Sequence, residues 1–428
     1  MTAPLRLAIA GLGTVGAGVV KIVQQHGDLL ALRAGRGIEI SAVSARSRGK
    51  DRGVDLSDYA WEDDPVALAR RDDVDLVVEV MGGEDGPAKA TVETALAGGK
   101  HVVTANKAML ALHGDEMARL AENAAVALRY EAAVAGGIPV IKALGEGLAG
   151  NAITRVMGVM NGTCNYILTE MEATGADYAD VLRDAQRLGY AEADPTVDVG
   201  GIDAAHKLAL LSALAFGTKV DFGAIKIEGI ERISLSDIRY AAGMGYRIKL
   251  LGVARMNADG LEQRMQPCLV PASSPLGQLE SVTNMVVIDG DHVAQTVHSG
   301  PGAGEGPTAS AIMGDVMDVA RGIVIPPFGI PVGRLAAAPK STSGAEAAYY
   351  LRFMLQDQPG TLATIATALA KQGVSIDRMR QEEHEGDTAA VLIVTHACAR
   401  AQLDLALAEI GGDAASLADP VAIRIETV

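Results

Sequence analysis

The sequence predicts an α/β protein in three parts: a parallel sheet covered by helices, a mixed α+β region and a small α+β module at the C-terminal end. Short apolar strands alternate with helical stretches through the first third of the chain. Glycine clusters near residues 136 and 145 interrupt this alternation, and a stretch rich in Pro, Gly, Ala and Ser precedes the last module. The 428 residues are enough for two or three domains of about 150 residues each.

The first part is predicted to begin with a strand at 5–10, which runs into a glycine-rich turn and a helix at 17–25. More strands and helices follow in alternation, with strands at 38–44, 74–80, 101–104 and 127–130 and helices at 87–97 and 113–123. Apolar strands that alternate with helices indicate a parallel sheet with both faces covered. We expect this first domain to span residues 1–136.

The second part mixes strands and helices, with a strand at 153–160, helices at 165–171 and 181–188, and a long aliphatic helix at 204–216. We expect a domain at 137–306, followed by an amphipathic helix at 307–325 that packs back on the first domain. Residues 326–346 have the composition of a linker. The last domain, at 347–428, is predicted to contain a strand at 349–355, a helix at 360–371 and strands near 376 and 391–395.

Charge and cysteine content exclude several classes of protein. The net charge of −16 argues against nonspecific binding to nucleic acid or anionic membranes, because both need a basic surface. The three cysteines, Cys164, Cys268 and Cys398, share no metal-ligand spacing and are too few for a disulfide framework. The first ten residues lack the features of a signal peptide, and no apolar stretch reaches about 20 residues. We therefore expect a cytoplasmic protein.

The turn after the first strand reads Gly11-x-Gly13-x-x-Gly16. Between a strand and a helix, this spacing is typical of a dinucleotide-binding turn in a Rossmann-like domain. Gly11 permits the tight turn, Gly13 lets a pyrophosphate approach the backbone, and Gly16 lets helix and strand pack closely. The helix N-terminus adds amide donors for the phosphates. The alternative is an ordinary glycine-rich turn with no ligand.

The end of the second strand bears on the choice between NAD and NADP. NAD sites usually carry Asp or Glu there to hold the ribose 2′-hydroxyl, whereas this strand ends at Ser44 and is followed by Arg46 and Arg48. Because a guanidinium suits a 2′-phosphate, the sequence favours NADP(H) and leaves NAD(H) open. A solvated basic loop is the alternative.

Two clusters of charged residues are candidates for catalysis. Lys107 follows a strand at the edge of the sheet where such folds bind ligands, although it also suits an exposed helix start. Asp203 and Lys207 are four residues apart and share one face of the aliphatic helix. Glu192 and Asp198 in the preceding loop add acidity that an amino group would need. An ammonium at this position can protonate a carbonyl oxygen as hydride arrives, whereas a simple surface ion pair is the alternative for Asp203 and Lys207.

Seven motifs fall in order between residues 5 and 325. They are GLGTVG at 11–16, TANK at 104–107, NGTCNYIL at 161–168, LGYAEADP at 188–195, DVGGIDAAHK at 198–207, GYRIKLLG at 245–252 and GPGAGEGPTAS at 300–310. Together they resemble the motifs of homoserine dehydrogenase. The resemblance implies an enzyme that interconverts L-homoserine and L-aspartate 4-semialdehyde with NAD(P)(H), on the route to threonine and methionine.

The resemblance also implies roles for individual residues. Lys207 matches the proton donor to the aldehyde oxygen, and Lys107 matches a second active-site lysine. The residues expected to contact the substrate are Glu192, Asp203, Asp198, Thr163, Gly162 and Tyr190. The residues expected to contact the cofactor are Gly11, Leu12, Gly13, Thr14, Val15, Gly16, Arg46, Met81, Gly82, Ala105, Lys107, Gly189, Glu192 and Gly304. The resemblance further implies a homodimer built through the central domain, or a homotetramer.

A monovalent-cation loop is implied at residues 131–138, which resemble the family's loop. Glu131 would give a side-chain oxygen, and Val134, Gly136 and Ile138 would give carbonyl oxygens. Oxygen ligands suit a hard ion such as Na⁺. A glycine-rich hinge between domains is a second interpretation, and both can hold together.

The C-terminal module, beginning LRFMLQDQPGTLA at 351–363, resembles the start of an ACT domain, a ferredoxin-like module that binds small amino acids. We therefore expect threonine as a feedback effector, and a module that serves assembly alone is the alternative. Two other functions fit parts of the sequence: another amino-acid dehydrogenase, such as aspartate dehydrogenase, and a cofactor-binding amino-acid sensor without turnover. Neither of these needs both Lys107 and Lys207.

Overall fold

The computed structural model describes residues 3–341, 344–383, 388–411 and 417–428. The first domain is formed by β1 (Leu5–Ala10), α1 (Thr14–Ala34), β2 (Ile38–Ser44), β3 (Ala60–Glu62), α2 (Pro65–Arg70), β4 (Leu76–Glu79), α3 (Pro87–Ala97), β5 (His101–Thr104), α4 (Lys107–Asn123) and β6 (Leu128–Arg129). Its six strands are parallel and lie in the order β3-β2-β1-β4-β5-β6. None of the helices in the described ranges has the length and apolar character needed to cross a membrane.

The central region is formed by α5 (Val140–Lys142), β7 (Ile153–Val159), α6 (Gly162–Thr174), α7 (Tyr178–Arg187), α8 (Thr196–Val199), α9 (Ile202–Phe216), β8 (Lys226–Ile227), α10 (Leu235–Gly243), β9 (Tyr246–Asn257), β10 (Gly260–Pro271), β11 (Thr283–Gly290), β12 (Ala294–Pro301) and α11 (Glu305–Ala320). Strands β12, β11, β7, β9 and β10 are antiparallel neighbours. Helix α9 is aliphatic and buried along most of its length, which agrees with its sequence pattern.

The C-terminal module is formed by β13 (Tyr349–Gln356), α12 (Thr361–Lys371), β14 (Ile376–Glu383), β15 (Thr388–Thr395), α13 (Arg400–Gly411) and β16 (Val421–Ile425). Its sheet continues that of the central region, because β16 pairs in parallel with β10 while pairing antiparallel with β13. The predicted fold class is thus confirmed, whereas the joining of the two sheets was not predicted.

Two connections bring the domains together. Helix α11 lies against α1, where a Cβ atom on Gly18 would approach Glu305 and Ala309 within 3.0 Å, so the absence of a side chain there permits the close packing. The segment that composition predicts as a linker is packed rather than detached in its described part. Phe328 is buried against Tyr130, with ring centroids 5.8 Å apart.

Candidate functional site

A cavity of about 610 Å³ lies between the first domain and the central region. Its wall includes the first turn of α4, the N-terminal part of α9, the loop before α8 and the loop that follows β12. Strands β4 and β5 end at this side of the parallel sheet, as expected for ligand binding in such folds. The size suits a small molecule together with one end of a cofactor.

The glycine-rich turn is shaped by contacts that leave no room for side chains. Gly11 has a φ of +106°, and a Cβ atom there would lie 2.6 Å from the carbonyl oxygen of Val80. A Cβ atom on Gly16 would lie 1.9 Å from the carbonyl oxygen of Gly11. Gly13, the N-cap of α1, has open space at its Cβ position and no side-chain cap for the helix amides. The turn thus offers free amide donors to an anion.

The acidic and basic residues predicted for catalysis meet at the side chain of Asp203. Its Oδ2 atom accepts a hydrogen bond from Lys207 Nζ at 2.7 Å, and its Oδ1 atom lies 3.1 Å from Lys107 Nζ. Lys207 also donates to the carbonyl oxygen of Met160 at 2.8 Å. Burial alone would raise the pKa of Asp203, but the charges of the two lysines outweigh it and hold the pKa well below its usual value. The carboxylate therefore stays ionised and fixes both ammonium groups.

Asn161 joins a second carboxylate to this centre. Its Nδ2 atom donates to Asp198 Oδ1 at 2.9 Å and to Asp203 Oδ2 at 3.1 Å. Its Oδ1 atom accepts from the amide of Cys164, so the side chain also caps α6. Burial raises the pKa of Asp198, with the charge of Asp203 adding to the effect and the bond from Asn161 opposing it. Asn161 opens the NGTCNYIL motif but was not among the predicted site residues.

The loop at 188–194 forms one wall of the cavity. Thr163 Oγ1 donates to the carbonyl oxygen of Tyr190 at 2.6 Å, and the rings of Tyr166 and Tyr190 pack edge to face at 5.0 Å. Glu192 lies on the same wall with an exposed side chain. Gly162 sits where a Cβ atom would collide with the backbone of Val282. All six residues predicted to contact the substrate therefore line one cavity.

The residues predicted to contact the cofactor divide into two sets. Val15, Ala105, Lys107, Gly189, Glu192 and Gly304 line the cavity. Gly11, Leu12, Gly13, Thr14, Gly16, Arg46, Met81 and Gly82 are outside its lining, at the turn between β1 and α1 and the ends of β2 and β4. The second set follows the sheet edge along which an extended dinucleotide binds. Two further residues line the cavity: Asn284 lies outside the seven motifs, and Thr308 lies within GPGAGEGPTAS but is not among the predicted contact residues.

The predicted cation loop lies at the boundary between the two domains. Both carboxylate oxygens of Glu131 already accept amide hydrogen bonds, from Ile141 at 2.8 Å and Lys142 at 2.9 Å. Burial raises the pKa of Glu131 to about 7, and Asp315 contributes to the rise. The carbonyl oxygen of Ile138 accepts from Val140 at 2.8 Å. Across the described ranges, no group of three His, Cys, Asp or Glu side chains is arranged to hold a metal ion.

The cavity places two ammonium groups, two partly buried carboxylates and an exposed carboxylate around one space. A carbonyl oxygen placed near Lys207 would meet a proton donor, and a substrate ammonium would meet acidic side chains. Within the cavity lining, the ionisable groups are carboxylates, lysines and Tyr190.

Comparison with known proteins gives three family matches along the chain. The model described as "Homoserine dehydrogenase, NAD binding domain" matches residues 11–131, and "Homoserine dehydrogenase" matches residues 139–317. The model of the ACT domain matches residues 349–413. The matches follow the same order as the three predicted parts.

Whole-chain relatives extend the similarity over nearly all residues. The chain is 45% identical over 416 residues to a homoserine dehydrogenase of Neisseria gonorrhoeae, covering 95% of each chain. It is 42% identical to one of Pseudomonas aeruginosa, covering 99% of each. The crystal structure of a homoserine dehydrogenase from Thiobacillus denitrificans superposes with a TM-score of 0.94 at 40% identity, covering 99% of this chain and 98% of that one.

Proposed function

The chain belongs to the homoserine dehydrogenase family and has its NAD(P)-binding domain, and from this premise we propose how its residues interconvert L-homoserine and L-aspartate 4-semialdehyde on the route to threonine and methionine. The observation that carries the proposal is the contact of Asp203 with both Lys107 and Lys207 inside the cavity. The single carboxylate orders two cations where a carbonyl substrate would lie.

A bound nicotinamide dinucleotide supplies or accepts the hydride. In the reducing direction the aldehyde carbon receives the hydride, the C=O π bond breaks towards oxygen, and Lys207 Nζ gives a proton to the alkoxide. In the oxidising direction Lys207 takes that proton back. Lys107 lies on the opposite side of Asp203 and orients the substrate.

We assign the amino-acid part of the substrate to the acidic part of the cavity, which is formed by Glu192, Asp198 and Asp203. Glu192 is exposed to the cavity and has no ion pair in the described chain, so it is free to receive the substrate ammonium. Asp198 and Asp203 line the same cavity, held by Asn161. Thr163, Gly162 and Tyr190 complete the pocket around the carbon chain.

We propose that the cofactor is NADP(H) rather than NAD(H). Arg46 is exposed just beyond β2 and is free to bind a 2′-phosphate. The Arg52 guanidinium, by contrast, already donates hydrogen bonds to the carbonyl oxygens of Leu12, Lys50 and Ser47. A hyperthermophilic archaeal homoserine dehydrogenase mutant, 25% identical to this chain, has been solved in complex with NADPH.

The cation loop and the terminal module carry the remaining proposals. We assign structural Na⁺ to the Glu131 side chain and to the carbonyl oxygens of Val134, Gly136 and Ile138. Lone pairs remain on the Glu131 carboxylate beside the two hydrogen bonds that it accepts from backbone amides.

The ACT domain at the C-terminal end would bind threonine and reduce activity, and the chain would act as a homodimer or homotetramer. We propose domains at 1–136, 137–306 and 347–428, with the helix at 307–325 packed on the first domain and residues 326–346 as the linker to the last.

Assay of NADPH oxidation tests the proposed reaction. L-aspartate 4-semialdehyde should support turnover, whereas oxaloacetate with ammonium, the substrates that an aspartate dehydrogenase would reduce, should not, and added threonine should lower the rate. Lys207→Met should reduce kcat by about 10²-fold or more, since general acid catalysis is lost. Lys219→Met, at an exposed lysine outside the cavity, is the matched control and should leave kcat unchanged. Turnover with oxaloacetate in place of the aldehyde, or a fully active Lys207→Met enzyme, would contradict the proposal.

A further inference from the structure

The buried side chain of Glu79 has no role in the reaction described above. It is the last residue of β4 and is fully buried. In the register of the sheet it pairs with Ala10 of β1 on one side and with Thr104 of β5 on the other. The residue after Ala10 is Gly11 of the cofactor turn, and α4 begins at Lys107, three residues after Thr104. Glu79 therefore stands between the two loops that build the cofactor side of the site.

The Glu79 carboxylate accepts three hydrogen bonds, two from the loop that follows β4 and one from the end of β5. Oε1 accepts from the amide of Met81 at 2.7 Å and from that of Gly82 at 3.4 Å. Oε2 accepts from the hydroxyl of Thr104 at 2.6 Å. All three partners are donors, so a carboxylate, which only accepts, suits the position. Among the described residues, Glu79 has no ion pair with an arginine or lysine, so we attribute its role to these hydrogen bonds.

The network continues from Thr104 to the start of α4. Thr104 Oγ1 accepts from the amide of Asn106 at 3.0 Å. The Asn106 side chain donates to the carbonyl oxygen of Gly83 at 2.6 Å and caps α4 by accepting from Met109. The next residue is Lys107, whose ammonium reaches Asp203. A shift of the Glu79 carboxylate would therefore displace the N-terminus of α4 through these hydrogen bonds.

The same network touches the cofactor turn. Val80 follows Glu79 directly, and a Cβ atom on Gly11 would lie 2.6 Å from the carbonyl oxygen of Val80, which is too close for any side chain. The amide of residue 80 is bonded to the carbonyl oxygen of Ala10 at 2.9 Å. The loop after β4 is therefore packed against the turn that the dinucleotide needs.

We propose that Glu79 is a positioning residue that holds the loop at 80–83 and the first turn of α4 in one arrangement. This arrangement places the cofactor and Lys107 correctly against the substrate at the same time. This proposal rests on the proposed function, because it assigns Lys107 to the site of hydride transfer. Buried polar networks fix geometry when every member has a partner, as these do. Loss of the carboxylate would leave the amide of Met81 and the hydroxyl of Thr104 without an acceptor.

Variants of Glu79 test this role by two separate measurements. Glu79→Ala should weaken NADPH binding, measured by fluorescence titration, and lower kcat for aspartate semialdehyde, each by about tenfold. Glu79→Gln should recover part of both, because its amide oxygen can still accept from Met81 and its NH₂ group can donate to Thr104 Oγ1. Glu122→Gln is the matched control, since the Glu122 carboxylate also accepts a backbone amide, that of Val332 at 2.9 Å, but lies outside the cavity. It should leave both values unchanged.

Combination with Lys107→Met separates positioning from general destabilisation. If Glu79 acts through Lys107, Glu79→Ala should lower kcat much less in the Lys107→Met background, while still weakening NADPH binding. An equal loss of kcat in both backgrounds would overturn the proposal, as would a folded Glu79→Ala enzyme with a lowered Tm and unchanged kcat and NADPH affinity. If Glu79→Ala does not fold, Glu79→Gln and Thr104→Val carry the same test. Wild-type enzyme that binds NADPH but does not reduce the aldehyde would instead refute the proposed function.

Discussion

Lys107 Nζ lies 3.1 Å from Asp203 Oδ1, and this ion pair joins the first turn of a helix in the nucleotide-binding domain to the aliphatic helix of the central region. The other oxygen of the same carboxylate holds Lys207 at 2.7 Å. The geometry of both lysines therefore depends on one acidic side chain. Since each lysine comes from a different domain, the ion pair also couples the relative position of the domains to the site.

Replacing Asp203 should affect both activity and acid stability. Asp203→Asn leaves a buried Lys207 without its counter-ion and should reduce the free energy of unfolding by about 2 kcal/mol or more at pH 7. It should also lower kcat, because neither ammonium is held. The pKa of Asp203 is lowered in the folded state, so its stabilisation is present above the unfolded pKa of about 3.9 and is lost as the pH falls further. Urea unfolding at pH 2 to 7 should therefore show a difference between wild type and variant that is constant above about pH 4 and shrinks below it, and a difference that stays constant down to pH 2 would contradict this.

Cofactor choice should depend on Arg46 and not on the whole basic loop. Arg46→Ala should lower kcat/KM for NADPH by about tenfold while changing the value for NADH little, because only NADPH carries the 2′-phosphate. Arg48→Ala is the neighbouring control, since the Arg48 guanidinium lies over the ring of Trp61 at 5.8 Å. Steady-state kinetics with both nucleotides measures the ratio. An equal loss for NADH and NADPH would exclude Arg46 as the discriminating residue.

Stability at alkaline pH should depend on Lys249, which is 1% exposed. Burial lowers its pKa to about 8, with the charge of Arg247 adding to the shift and Glu172 and Glu280 opposing it. Between pH 8 and the unfolded pKa of about 10.4, the unfolded chain holds more protons than the folded one, so the free energy of unfolding should rise with pH by about 2 kcal/mol. In Lys249→Met this rise should disappear, whereas Lys219→Met should keep it. Urea unfolding at pH 7, 8, 9 and 10 measures the two slopes, and equal slopes would refute the assignment.

The attachment of the terminal module should depend on Glu426. This buried carboxylate binds Arg264 of β10 at 2.5 Å and Arg424 of β16 at 2.6 Å, across the junction of the two sheets. Glu426→Gln removes one anion from two buried guanidinium groups, which keep Glu262 at 3.1 Å from Arg264 and 4.0 Å from Arg424, and should reduce the free energy of unfolding by about 2 kcal/mol or more.

A surface pair in the same module gives the control for that prediction. Glu409 meets Lys371 at 3.0 Å with both side chains exposed, so Glu409→Gln should cost less than about 1 kcal/mol. Thermal unfolding of both variants compares them directly. Similar losses for Glu409→Gln and Glu426→Gln would show that the buried cluster does not secure the junction.

Local features of the site could be predicted from the sequence because they depend on spacing. The glycine turn at 11–16 follows from the steric needs of a tight strand-to-helix connection. The Asp203–Lys207 contact follows from the helical repeat, which brings residues four apart together. Helix bounds were less well predicted: α1 runs on to Ala34 and α4 begins at Lys107, beyond the predicted limits of 17–25 and 113–123, because tertiary packing extends helices past their clearest periodicity.

The sequence by itself determined the fold class, the family, the dinucleotide turn and the charged residues of α9, since each depends on a local sequence pattern or on an ordered set of motifs. Only the tertiary structure decided that Lys107 meets Asp203, that Asn161 joins two carboxylates and that Glu79 lies beneath the loops of the site. It also decided that β16 joins the sheet of the terminal module to that of the central region. These contacts unite segments far apart in the chain, and their partners are chosen by the packing of sheets and domains, for which no local spacing gives a signal.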